Sequence, residues 1–128
     1  MEPGLTFLDT HAAVFLWEGR EDVWGQRSRA LLETAPLRVS PVVRLELEFL
    51  HEIGKLKVSA DTILGGLAAD CRVQLHEEGL GALVSAAMPL TWTRDPFDRL
   101  LVAAAALQRA PLVTRDRRIQ EHYPRAVW

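Results

Sequence analysis

With one cysteine in 128 residues, Cys71, the chain can form no internal disulfide and no thiolate metal cluster. Cys71 reads as a small half-buried side chain. Long apolar runs are also missing, all falling far short of the roughly 20 residues that a membrane-spanning helix needs. Met1-Glu2-Pro3-Gly4 has no basic region leading into an apolar stretch, so we expect no secretory leader and a soluble protein of the cytoplasm. Histidine is sparse and scattered: His11, His51, His76 and His122 form no His-Glu-x-x-His pair, which argues against a zinc hydrolase. There is no Gly-x-Ser-x-Gly elbow and no Gly-rich phosphate loop. Gly65-Gly66, with no Lys-Ser/Thr after it, reads as a weak point in a helix. No internal repeat or low-complexity linker stands out.

Hydrophobic residues make up 48% of the chain, enough for one core. We expect a single domain over residues 1–128. The formal net charge of −2 singles out no partner, but its distribution is uneven. Thr91 to Trp128 carries seven Arg against four acids, a balance of +3, and the preceding residues carry −5. Three of those four acids are Asp95, Asp98 and Asp116. If a cation neutralises some of them, Arg94, Arg99, Arg115, Arg117 and Arg118 are left to face a polyanion. The same charges also suit an ordinary solvated face.

Along the chain, Leu5 to Leu8 reads as a strand that stops at Asp9-Thr10-His11, and a helix follows through Trp17. Val23 to Thr34 fits a surface helix. Leu37 to Ser40 is a second strand, and Pro41 to Gly54 a helix capped by Ser40. In that helix Val42, Phe49, Leu50 and Ile53 share a stripe that includes Glu46, whereas Arg44, Glu48, His51 and Glu52 line the wet side. Glu46 then needs a partner or a cation, unless it lies at the stripe's edge and reaches water. A helix over Ala60–Asp70, a strand over Val73–His76 and a helix over Leu80–Met88 come next. Asp95 is placed to cap a helix that starts at Pro96 and runs to about Arg109. Leu112-Val113-Thr114 is a strand, Arg117–His122 a short helix and Ala126–Trp128 an edge strand. This alternation predicts an α/β sandwich around a mostly parallel sheet.

Strands ending at Leu8 and Thr114 are each followed, at once or within two residues, by an Asp that leads into a helix. Ligands of parallel α/β sheets bind beyond the carboxyl ends of the strands, so Asp9 and Asp116 should share one edge. Asp98 and Glu46 can reach that edge too, although helix capping alone also accounts for Asp95 and Asp98. Four converging carboxylates repel one another unless cations bind them, and all-oxygen ligands suit Mg²⁺ or Mn²⁺. The reaction such a site serves is phosphodiester hydrolysis by metal-activated water, with nearby Arg gripping phosphate oxygens. Thr10 and Thr114 can hold a carboxylate or a metal-bound water through their hydroxyls, or simply serve as strand-end turn residues. A phosphoacceptor signalling domain fits less well, since Asp9 has no acidic neighbour and Lys55 and Lys57 lie mid-chain.

Four segments in order, Leu8-Asp9-Thr10-His11-Ala12, Ser40 with Glu46 and the later Gly54-Lys55-Leu56, Arg94 to Leu101, and Leu112 to Asp116, resemble the PIN-domain ribonucleases, in particular the VapC-type toxins of toxin–antitoxin systems. The resemblance spans essentially the whole chain. It implies a three-layer α/β/α fold, Mg²⁺- or Mn²⁺-dependent endoribonuclease activity, a homodimer and a small cognate antitoxin. It also implies Asp9, Glu46, Asp98 and Asp116 as the catalytic and metal-binding quartet, with Asp95 mainly a cap. Thr10, Arg94, Arg99, Thr114 and Arg115 are the candidates for contact with RNA. A non-cleaving RNA- or protein-binding module and a housekeeping nuclease remain as alternatives.

Overall fold

The computed structural model describes residues 4–128, so the reading of Met1-Glu2-Pro3 lies outside the described residues. Among these, seven helices and five strands alternate: β1 (Thr6–Leu8), α1 (Thr10–Trp17), α2 (Gln26–Thr34), β2 (Leu37–Val39), α3 (Pro41–Glu52) and α4 (Ala60–Cys71), then β3 (Gln74–Leu75), α5 (Leu80–Ala87), α6 (Pro96–Leu107), β4 (Leu112–Val113), α7 (Arg117–His122) and β5 (Ala126–Val127). The strands form one sheet in the order β3-β2-β1-β4-β5, and every pairing is parallel. Phe7 of β1 lies opposite Arg38 of β2 on one side and Leu112 of β4 on the other.

Successive strand residues point to opposite faces, and this divides the core in two. Leu8 and Val113 face a cluster with Ala13 of α1, Val43 and Leu47 of α3, and Ile63 and Leu67 of α4. Phe7 and Leu112 face the other way, onto Leu83 of α5, the alanines of α6, and Ile119 and Tyr123 around α7. The result is helices, sheet, helices: the three-layer α/β/α architecture. Strands of two or three residues have few ladder bonds of their own, so pairing continues past their ends. Asp9 N donates to Val113 O (3.1 Å) and Thr114 N donates to Val127 O (3.0 Å).

Several local readings change. On α3 the fully buried residues are Val43 and Leu47, whereas Phe49 and Ile53 are 44% and 66% exposed. The helix carries more apolar residues than one stripe can hold, and periodicity alone ranks the wrong set inward. Glu48 is not a free solvated acid, because its Oε1 accepts from Ala60 N (3.1 Å) at the start of α4. Gly66 is a packing device rather than a weakness, since a Cβ there would lie 2.3 Å from the Trp17 ring. Helix α2 starts at Gln26, not Val23. Gly25 is its cap residue, and a Cβ there would lie 2.5 Å from the backbone carbon of Trp128. Trp128 fastens the preceding loop as well, its indole N–H donating to Val23 O (2.9 Å). Gly54, at φ +82°, turns the chain out of α3 in the left-handed region open to glycine.

Candidate active site

The chain runs outward from β1 through β2 to β3, then returns to place β4 on β1's other side, so the β1–β4 boundary is where the winding reverses. Crevices in such sheets open at that boundary, past the carboxyl ends of the strands. Asp9 is the first residue after β1. It caps α1 through Oδ1, which accepts from Ala12 N (2.8 Å), and it also accepts a hydrogen bond from the Thr114 side chain. Only 7% of Asp9 is exposed, and burial raises its carboxyl above the ordinary range.

The next two acids come from one turn built twice. Thr93-Arg94-Asp95 and Thr114-Arg115-Asp116 are the same tripeptide. In each, the Thr Oγ1 accepts from the Asp N–H two residues on, at 3.2 and 3.0 Å. Each Asp then caps the helix that follows: Asp95 Oδ1 accepts from Phe97 N (2.9 Å) and Asp98 N (3.4 Å), and Asp116 Oδ1 from Arg118 N (2.8 Å) and Ile119 N (3.1 Å). Each Thr carbonyl accepts from the side chain six residues on, Arg99 Nε or Gln120 Nε2, both at 2.8 Å. The turn satisfies the first free N–H groups of a helix with one carboxylate oxygen and keeps the second oxygen out of the helix. This repeat is short, but it is visible in the sequence as Thr-Arg-Asp.

Glu46 comes from the middle of α3, and the buried Thr10 donates its hydroxyl to Glu46 Oε1. These contributions meet in a pocket of about 490 Å³ that brings together Asp9, Glu46, Asp95, Asp98 and Asp116, with Thr10, His11, Phe15 and Arg115 also on its wall. Asp98 shows what the gathering costs. Burial first, then the charges of Asp95, Asp116, Glu46 and Asp9, raise its carboxyl from 3.8 to about 7. An all-oxygen donor set under such mutual repulsion fits a hard divalent cation, which would relieve the charge. As the side chains stand, no three of the described acids, histidines or cysteines are drawn tightly enough together to hold an ion, so binding would pull them inward.

The five residues considered for contact with RNA divide. Thr10 lies on the pocket wall, but its hydroxyl is spent on Glu46. Thr114 is fully buried and serves Asp9 and Asp116. Arg99 clasps its own turn through the Thr93 carbonyl, and Arg94 does not reach the pocket. Arg115 does. Its guanidinium lies over the rings of Phe15 (5.4 Å) and Trp128 (5.7 Å), which hold it at the pocket's rim. Phe15 and Trp128 were not singled out in the sequence, and nothing short of the tertiary structure joins residues so far apart. Asp95 lines the pocket as well as capping α6, so its capping role does not remove it from the site.

A model of the PIN domain family matches residues 6–124. Ribonuclease VapC22 of Mycobacterium tuberculosis is 29% identical over 123 residues, covering 94% of each chain. Among solved structures, VapBC2 from Rickettsia felis, bound to a DNA fragment from their promoter, superposes with a TM-score of 0.68 at 17% identity over 96% of both chains. A toxin–antitoxin complex from Klebsiella pneumoniae gives the same four figures. At that identity the structural likeness speaks for the fold.

Proposed function

The chain belongs to the PIN domain family, and on that premise we propose that it is a Mg²⁺- or Mn²⁺-dependent endoribonuclease acting as the toxin of a toxin–antitoxin pair. The observation that carries the reading is the convergence of five carboxylates at the sheet's switch point, with Asp98 raised to about 7 by burial and by its neighbours' charge. Asp9, Glu46, Asp98 and Asp116 would hold the cation, with Asp95 beside them.

When bound, the cation supplies acidification of water and neutralisation of charge at phosphate. The protein's own residues set the stage for it. Thr10 fixes one oxygen of Glu46, Thr114 and the α1 amide fix Asp9, and the two Thr-Arg-Asp turns fix Asp95 and Asp116, so each of these acids is anchored by the fold, and the remaining closure on a cation is a matter of side-chain movement. Arg115, stacked and at the rim, grips a non-bridging phosphate oxygen. No protein nucleophile is required.

The cognate antitoxin is inferred from the relatives' names, homodimerisation from the sequence resemblance. A cytoplasmic setting accords with the lack, among the described residues, of any helix long and apolar enough to cross a membrane. Incubating the protein with structured RNA tests the activity. Cleavage should need Mn²⁺ or Mg²⁺, stop on chelation, and vanish in Asp98→Asn while the circular dichroism spectrum holds. Undiminished cleavage by Asp98→Asn and Asp9→Asn would overturn the assignment. The stacked Arg115 at the rim also suits a second reading, an RNA-binding module that does not cut; it predicts binding that survives chelation and yields no new RNA ends.

A further inference from the structure

Arg115 borders two hollows. One is the acid pocket. The other is a groove of about 770 Å³ between the start of α2, α7 and β5, lined by Arg27, Arg115, Arg117 and Gln120, with Trp128 beside them. No Asp or Glu side chain lines this groove, and none of its three arginines forms an ion pair among the described residues. Arg20 and Arg44, elsewhere on the surface, are paired with Asp22 and Asp61. Three like charges gathered with no ion pair among the described residues raise the local potential for an anion on the side of the groove away from the acids. The gathering is also anchored. Trp128 packs 4.9 Å from Trp24, its indole N–H is bound by Val23 O, and Arg115 rests on its ring. Trp24, Phe15 and Arg115 already occupy the surroundings of that ring, which leaves charge rather than base stacking as the groove's means of recognition.

We propose that this groove is a subsite for the phosphate backbone of the substrate: an RNA strand whose reacting phosphate lies in the acid pocket passes Arg115 and lays its neighbouring phosphates against Arg27 and Arg117. The proposal deepens the ribonuclease reading and rests on it. Continuity with the acid pocket through a shared Arg115 favours a nucleic-acid strand over an acidic peptide.

The test uses the full chain in chelator, where neither reading predicts turnover, and a fluorescein-labelled oligouridylate of about a dozen nucleotides. Anisotropy is followed from about 50 to 200 mM salt for the parent, Arg27→Gln/Arg117→Gln and, as a control outside both hollows, Arg44→Gln. The double variant should bind about tenfold more weakly at low salt. Its plot of log affinity against log salt should flatten by roughly 1.4, two phosphate contacts at about 0.7 each on a single strand. The control should keep the parent's slope, and with Mn²⁺ present the double variant should raise KM and leave kcat alone. An unchanged slope in the double variant overturns the proposal, as does a Glu-rich peptide of equal charge that outcompetes RNA and alone senses the substitutions. A parent that binds RNA through these arginines yet cuts none refutes the nuclease reading and upholds the groove.

Discussion

The Thr93 and Thr114 turns share a tripeptide and a hydrogen-bond scheme, yet they serve the pocket from different positions. In the first, the residue five after the Thr is Asp98, which enters the pocket as the acid most crowded by its neighbours. In the second, that position is Ile119, 1% exposed, an apolar core residue at the base of the same pocket, and the capping Asp116 is the acid delivered. The arginines diverge too. Arg94 reaches neither hollow, while Arg115 is stacked between them. A well-satisfied helix start fixes where a side chain can go, and a single residue then decides whether the position is chemical or structural.

Exchanging the two fifth positions breaks the comparison most strongly. Asp98→Asn should cut kcat by at least about a hundredfold, the scale for losing one preorganised charged group, with the fold retained by circular dichroism. Ile119→Asp should act on the fold instead, lowering the urea-derived stability of the metal-free protein by more than about 3 kcal/mol, because a carboxylate would replace an apolar side chain of the core cluster that holds Phe7, Leu112 and Tyr123.

The next effect is one of pH. Asp98 titrates near 7 in the folded protein and near 3.8 as an unperturbed side chain. Between those values folding takes up a proton, so the stability contributed is full below 3.8 and is lost as pH rises through 7. Asp9, raised by burial, has the same sign. The urea midpoint of the metal-free protein should therefore fall from pH 4 toward pH 8, Asp98→Asn should flatten much of that slope, and the gain in Tm on adding Mn²⁺ should grow over the same range as protons cease to compete.

The caps give a smaller and sharper contrast. Asp95→Ala and Asp116→Ala should each cost about 1 kcal/mol, and Asn at either position should restore most of it, since its oxygen caps as well. Cleavage assays on the Asn variants separate the two: Asp116→Asn should remain impaired, whereas Asp95→Asn should stay much closer to the parent. Smallest is the difference between the supporting threonines. Thr93→Val and Thr114→Val each remove one acceptor, about 1 kcal/mol apiece, but only Thr114→Val frees Asp9 and should raise the Mn²⁺ concentration needed for half-maximal cleavage.

The sheet was readable because an apolar run that stops at an Asp is a local signal. Leu8-Asp9 and Thr114-Arg115-Asp116 mark their own strand ends, and Asp95-Pro96 marks the start of α6. Helix α3 was not readable in the same way. Val42, Val43, Leu45, Leu47, Phe49 and Ile53 are all apolar, and which of them face the core depends on α4 and the sheet, not on spacing within the helix. Glu48 looked solvated for the same reason, since its partner amide lies twelve residues on. Arg99 and Thr114, expected at the substrate, also make hydrogen bonds that close within their turns, and these bonds depend on a turn geometry that residue type alone does not reveal.

Trp128 also bears on when the molecule becomes competent. Its backbone oxygen accepts from Ser28 N (3.3 Å) in the first turn of α2, its indole is held by Val23 O, and its ring supports Arg115. Contacts that join residues so distant in sequence form late, after the loop between them has closed. A chain growing from its N-terminus therefore carries Asp9, Glu46, Asp98, Asp116 and the Phe15 side of the platform for Arg115 before it has the Trp128 side. If the acids cut and Arg115 holds phosphate as proposed, the site is complete only once Trp128 has docked.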